Sequence, residues 1–413
     1  MRRLLAMLCL SVCVLSIFTS VSAGLSQHYS KDGIASARIA STVAALKLAP
    51  DDPLAHYAHA LVLEKAGLSG EAIAHLSKAT QLKPQDYILW SELGRMLRQS
   101  GDKQGALVPL EQAVQLAQYY AQPRWDLGTL LLELGRPSEG FAQLSRAGAS
   151  DPNLFIEVVK LAWQHLEGNP AAVLQATQPQ TSDTRMKLAR FFVWKGFPDE
   201  SVALVRETKE ISPRNRDELA ADLVAGKWFP QAFEVWSKGR ETDPRQTALV
   251  SDGGFEPGAQ TFSRTGFGWN HALQPGAVRI NFDRHGARDG EQSLRFEWNG
   301  ITNASVPALT QLVLVEPGTT YQLSYSARTR DLVSGTPPFI GVVDAGNDQQ
   351  EFLARSASVP GGTMSWQDYA FEFSTPNDTR AIRIVIQRPK CDEAPCPIFG
   401  RLWLDSVSLR KLR

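Results

Sequence analysis

The spacing of apolar residues changes character once along the chain. From residue 33 to 245, Ala and Leu recur at three- and four-residue intervals among Glu, Gln, Lys and Arg, the period of amphipathic helices. After "LVSDGGFEPGAQ" (residues 249–260) apolar and polar residues alternate in about nine short runs: "AVRINFD", "SLRFEW", "LTQLVLV", "TYQLSYSART", "PFIGVVD", "FLARS", "WQDYAFEFS", "RAIRIVIQR" and "GRLWLDSVSL". Turn signals such as "EPGTTY", "VPGGTMSW" and "TPNDT" separate them, so each reads as a strand with one buried face. Tyr369, Phe371 and Phe373 share one side of their run, as do Tyr321, Leu323 and Tyr325 of theirs. The fold class expected is multidomain: an all-α solenoid over 33–245, a linker at 239–249, and an all-β sandwich over 250–411.

The helical half repeats. Ala45, Ala79, Ala113 and Ala147 recur every 34 residues, as do Leu76, Leu110 and Leu144, with Gly67, Gly101 and Gly135 at the turns and Pro50, Pro84 and Pro152 at the ends. Small residues let two helices cross closely, Leu fills the space to the next pair, and Pro stops the helix. Together with Trp90, Leu93 and Gly94 in "LWSELGRML", the pattern resembles the tetratricopeptide repeat, clean over about 34–152 and degenerate over 153–245. The resemblance implies about six stacked helical pairs and a groove for a protein partner, lined here by Tyr57, Leu61, Arg95, Arg98, Trp125 and Leu132. His56 and His59 are read as ordinary helix residues, because no third ligand stands near them in sequence. Apolar Trp228, Phe229 and Trp236 at the solenoid's end call for a cover, which the sandwich can provide.

Composition narrows the possibilities. Lys plus Arg equals Asp plus Glu at 43 each, and no basic stripe or recognition motif speaks for nucleic-acid binding. Two arginines precede an uncharged run from Leu4 to Leu25, with a small-residue site at Val21-Ser22-Ala23. Residues 1–25 are therefore a cleaved signal peptide or an uncleaved anchor, the run being about 33 Å long as a helix. Either way the rest is extracytoplasmic, periplasmic or secreted, touching the membrane only through 4–25. Cys391 and Cys396 in "KCDEAPCP" read as a small disulfide clasp in that oxidising setting, with free thiols the alternative.

A carboxylate, Asp405, falls in the otherwise apolar row Trp403, Val407, Leu409, and Glu256 sits beside Phe255 at the other end of the domain. If those ends are neighbours, a calcium ion would satisfy both. "DGGFEPG", "DGEQSLRFEW", "QLVLVEPGTTYQLSYSART" and "GRLWLDSVSL" resemble carbohydrate-binding modules of the galactose-binding-like jelly-roll type. The resemblance implies a structural calcium held by Glu256 and Asp405; Ser406 stands where a second acid is frequent. It also implies a glycan on aromatic and polar side chains, for which Trp269, Gln311, Arg328 and Trp366 are the candidates. No catalytic motif appears. The expectation is an exported non-enzymatic scaffold joining a protein to a glycan, in surface polysaccharide (exopolysaccharide or O-antigen) assembly; the alternative is a pure protein-assembly module with a structural sandwich.

Overall fold

A computed structural model describes residues 2–239, 249–256, 265–271, 278–301, 306–347, 351–391 and 396–412, the side chains of 2–11, 15, 18 and 301 excepted. The chain divides into two compact units, Met1–Thr184 and Arg185–Arg413. The division falls earlier than the 239–249 linker, so the last helices share a unit with the sandwich.

The first unit is a run of helical pairs: α1 (Arg2–Ser36) with α2 (Ile39–Leu48), α3 (Pro53–Lys65) with α4 (Ser69–Leu82), α5 (Tyr87–Gln99) with α6 (Leu107–Leu116), α7 (Ala121–Glu133) with α8 (Pro137–Ser150), and α9 (Pro152–His165) with α10 (Pro170–Thr177). The sequence sets their limits. Asp52, Asp86 and Asp151 cap α3, α5 and α9 by accepting from Leu54, Ile88 and Asn153 N–H. Gly67, Gly101 and Gly135 end helices with φ of +79°, +95° and +74°, where any side chain would be strained. Ala45, Ala79, Ala113 and Ala147 are wholly buried at the crossings. A Cβ on Gly94 would lie 2.5 Å from Leu110 Cγ, and one on Gly128 2.7 Å from Leu144 Cγ. This is the tetratricopeptide architecture, and the phase of its small residues is what sets the helix spacing.

Helix α1 carries the N-terminal apolar run. Its Val12, Val14, Ile17, Val21 and Leu25 are exposed. Among the described residues no helix is long and apolar enough to cross a membrane, and part of the 4–25 run has side chains outside that description.

Helix α11 (Ser182–Lys195) crosses the division. The second unit continues with α12 (Pro198–Glu207), α13 (Pro213–Ala225) and α14 (Phe229–Ser237), and then the sandwich. Its strands are β1 (Asn270–His271), β2 (Val278–Asp283), β3 (Ser293–Ile301), β4 (Leu309–Leu314), β5 (Thr320–Ser334), β6 (Phe339–Asp344), β7 (Phe352–Arg355), β8 (Gly362–Ser374), β9 (Ala381–Gln387) and β10 (Pro397–Lys411). They form two antiparallel five-stranded sheets, ordered β1-β4-β9-β6-β7 and β2-β3-β10-β5-β8, a jelly-roll sandwich. The nine alternating runs each become a strand. Only β1 escapes that reading, since two residues cannot display alternation. Between the sheets lie Phe255, Trp269, Phe296, Tyr321, Tyr325, Ile382, Ile384, Ile386, Leu402 and Leu404.

The last strand departs from its expected register. Leu402 and Leu404 face the core, so Trp403 does not. A bulge between Asp405 and Ser408, with Ser406 at φ +53°, then turns Val407 and Leu409 inward. Trp403 and Asp405 thus belong to one row and Val407 and Leu409 to another. At the helical end, the Phe233 and Trp236 rings of α14 lie 5.3 and 5.6 Å from Phe267, and Phe229 and Trp236 are buried.

Gly94→Val forces a branched side chain into the α5–α6 crossing. It is expected to destabilise the chain by about 1–3 kcal/mol, read as a lowered urea midpoint at unchanged slope. An unshifted midpoint would show that the crossing can open without cost.

Candidate functional site

In the repeat unit, the first helices of successive pairs are tied together by charge. Arg95 of α5 pairs with both oxygens of Glu64 of α3, Nη1–Oε1 and Nη2–Oε2 each 3.1 Å, and with Glu92 at 2.6 Å. Burial alone would lower the Arg95 pKa, but its hydrogen bonds to Glu64 and Glu92 outweigh this and hold it above the ordinary value. Arg98 bonds Thr129 at 2.9 Å and pairs with Glu133 of α7, which Lys103 also reaches at 3.2 Å. Tyr57 faces the same layer: burial, then the Glu92 charge, push its hydroxyl pKa up. Asp126, beside Trp125, is raised by burial against the pull of Gln122, Arg98 and Arg95. The layer therefore brings Tyr57 and Arg95 together, links Arg98 to α7, and leaves Trp125 half-buried. Arg95 is committed to two carboxylates, whereas Arg98 has one, with Thr129 taking its remaining terminal nitrogen.

His56 and His59 do gain a third histidine. His56 Nε2 donates to Pro50 O at 2.8 Å, so its Nδ1 accepts from His75 Nδ1 at 2.9 Å. Thr42 gives its own proton to Ile39 O, so His59 Nδ1 donates to Thr42 Oγ1 at 2.8 Å. The rings of His59 and His75 meet edge to face at 4.6 Å. Among the described residues no group of three or more His, Cys, Asp or Glu side chains is placed to hold a metal ion. The cluster is a hydrogen-bonded one. Burial first, then neighbouring histidines, lower the pKa of both His59 and His75, with Glu71 opposing.

On the sandwich, the four glycan candidates separate. Trp269 is fully buried, its ring tilted against that of Phe255 at 5.5 Å, with its Nε1–H on Asp252 O at 3.0 Å; no face of its ring reaches solvent. Gln311 is equally buried and brackets Ser251, accepting its N–H at 3.0 Å and donating to its carbonyl at 2.7 Å. Both serve the core and, contrary to expectation, present nothing to a glycan. Arg328 and Trp366 come together on the outer face of the β10-containing sheet. The Arg328 guanidinium lies 4.2 Å above Trp403 and 5.4 Å from Trp366. Trp403 itself donates to Asp283 Oδ2 at 2.7 Å, and Arg295 reaches the same oxygen at 3.3 Å. Burial would raise Asp283, but the Trp403 and His285 hydrogen bonds and the Arg295 charge hold it low. Burial lowers Arg328, with Asp283 opposing. The sequence reading missed Trp403 because it was assigned to an apolar row that the bulge does not preserve.

Glu256 and Asp405 converge on the loop between β2 and β3. Asp405, wholly buried, accepts from Arg288 N–H at 2.8 Å, Asp289 N–H at 3.4 Å and Ser406 N–H at 2.7 Å. Glu256 accepts from Glu291 N–H at 3.2 and 3.0 Å. Burial raises the Asp405 pKa and these amides oppose it. Neighbouring Val407 N–H donates to Gly253 O at 2.8 Å, and a Cβ on Gly253 would collide with Val407 O. Backbone amides thus already compensate both carboxylates, and among the described residues no group of three or more His, Cys, Asp or Glu stands here to hold a metal ion, so the donor set lends the expected calcium no added support. Cys391 and Cys396 are joined in a disulfide with Cα atoms 6.2 Å apart. Buried Arg388 braces that loop through Cys396 O at 3.1 Å and Thr336 O at 3.2 Å.

No protein-family model matches the chain. The curated relative tRNA nuclease WapA of Bacillus subtilis (strain 168) is 24% identical over 169 residues, 40% of this chain but 7% of that protein. The chain thus spans a small fraction of the curated relatives it matches. Similar solved structures include PilF of Pseudomonas aeruginosa (16% identity, 53% of this chain and 96% of that one, TM-score 0.34). MamA of Desulfovibrio magneticus RS-1 is 16% identical over 46% of this chain and 92% of its own, with a TM-score of 0.30. A CBM4 structure is 16% identical over 40% and 96%, with a TM-score of 0.27.

The histidine cluster predicts a pH dependence. The folded pKa values of His59 and His75 lie below the ordinary 6.5, so the unfolded chain binds protons first on acidification. Its contribution to stability is complete above about pH 6.5 and is lost as pH falls from there through the lowered folded values. Urea unfolding followed by helical circular dichroism from pH 8 to 5 reads this, and His75→Asn should flatten the slope; an identical slope would remove the cluster as its source. At the β2–β3 loop, Asp405→Ala orphans buried amides and is expected to cost about 3 kcal/mol or more, while chelator leaves the thermal midpoint of the wild-type chain unmoved. A chelator-induced drop would restore the metal.

Proposed function

We propose that the protein is a non-enzymatic exported scaffold, binding a protein partner through the repeat layer and a glycan through the sandwich. The observation that carries the glycan half is the outer-face arrangement of Arg328 over Trp403 and beside Trp366. Trp366 is half-buried, which leaves part of its ring open as apolar surface, the kind of face a pyranose stacks against. The protein half is supported by Arg98 and Trp125 on adjoining first helices, a cation and an aromatic of the types that anchor interfaces. Export, by a cleaved signal or an anchor at 4–25, is supported by the exposed apolar side chains of α1. Work in surface polysaccharide assembly is the setting that architecture fits.

A second reading has its own observation. Trp269 and Gln311 serve the core, and α14 packs on Phe267, as they would in a sandwich kept only to cover the solenoid's end.

A glycan array on the full chain separates the two. Specific hits that weaken about tenfold in Trp366→Ala and also fall in Arg328→Ala support the scaffold that joins glycan to protein. An empty array, with a partner still captured by wild type and lost in the Arg98→Ala/Trp125→Ala double variant, supports the assembly module.

A further inference from the structure

Strand β9 alternates cleanly. Ile382, Ile384 and Ile386 point into the core, so Arg383 and Val385 point out from the other sheet. Across the ladder Arg383 is flanked by Leu312 of β4 and Val343 of β6, each 3% exposed, and no carboxylate stands opposite it on either side. It lines a cavity of about 320 Å³ with Thr310, Asn270, Leu312, Val343 and, from helix α13 of the same unit, Val224. Among the described residues no side chain is hydrogen-bonded or ion-paired to Arg383. Burial lowers its pKa and no neighbouring charge opposes this. A desolvated cation without a partner costs stability unless something supplies the opposite charge.

We propose that this cavity binds a small hydroxylated monocarboxylate, of the size of a single hexuronic acid, with its carboxylate on Arg383. One guanidinium balances one negative charge, and its planar fork matches two carboxylate oxygens. Thr310 and Asn270 supply the side-chain donors and acceptors for hydroxyl groups. Leu312, Val343 and Val224 supply the apolar surface for a ring, and the volume lies at the lower end of ordinary small-ligand sites, about 300 Å³. The site is on the sheet opposite to Arg328 and Trp366 and does not depend on the glycan reading there.

The test is titration of the full chain with glucuronate, glucose and acetate, read by calorimetry and by thermal midpoint. Glucuronate is expected to bind saturably and, at a hundredfold excess over Kd, to raise the midpoint by roughly 5 °C. Glucose, lacking the charge, and acetate, lacking the ring, should each bind at least tenfold more weakly. Arg383→Met should abolish the glucuronate response while leaving the unliganded midpoint equal or higher, because it removes an uncompensated charge. Thr310→Val should weaken binding several-fold and serves if the Met variant does not fold. An oligoglucuronate that binds better than the monomer identifies the ligand as a polysaccharide end; a monomer that binds better identifies a free sugar acid. No saturable glucuronate binding, equal binding of glucose, or an undiminished response in Arg383→Met and Thr310→Val would overturn the proposal.

Discussion

A charge that leaves water must meet either an opposite charge or a set of directed hydrogen bonds, and the placement of loops and helices in both units follows from how that requirement is met. In the repeat layer Arg95 is fixed between Glu64 and Glu92, which ties α5 to α3 by something more directional than apolar packing. In the sandwich Asp405 is fixed by three backbone amides, and Glu256 takes a fourth. Those bonds pin the β2–β3 loop from two sides. The pinned loop in turn brings Gly286 so close to Arg328 that a Cβ there would lie 2.5 Å from Nη2. The outer-face platform is therefore positioned by a buried carboxylate that touches none of its rings.

The two arginines of the opposite outer faces show how environment divides one residue type into two chemistries. Arg328 lies on the π face of Trp403, whose indole N–H is held by Asp283, so its charge has an aromatic quadrupole beneath it and a carboxylate nearby. Arg383 lies between aliphatic side chains, which take away water and return nothing. The first can serve as part of a stacking surface. The second is an electrostatic deficit with a cavity around it.

How much of this the sequence carried depended on whether a contact is periodic. The helix crossings are stated at every 34-residue step by Ala45, Ala79, Ala113 and Ala147, and the strands by alternation, so fold class and most elements could be read directly. Gln311 could also have been read as buried, because it shares the parity of core residues Leu309 and Val313. Trp269 could not: "FGWNH" has no alternation to assign its face. The bulge after Asp405 inserts an irregularity that no residue type announces, and it hid Trp403. The convergence of Glu256 and Asp405 was legible from the two ends of the domain, but their amide partners on the β2–β3 loop were not. Backbone donors have no letter in the sequence.

The same limit explains Arg383. Its outward orientation follows from its isoleucine neighbours, yet Val224, which completes the cavity, lies on a helix more than 150 residues earlier. That helix is present because a solenoid cannot leave its last apolar face in water. Trp236 buries its ring beside Phe267, with Phe233 edge-on to the same ring, and Lys227 Nζ donates to Gly346 O at 2.9 Å. Covering the end of the repeats and enclosing the Arg383 cavity are thus one packing arrangement. A substitution that loosened α14 from Phe267 would move Val224 as well, so the cavity's shape is coupled to the seating of the final helical pair.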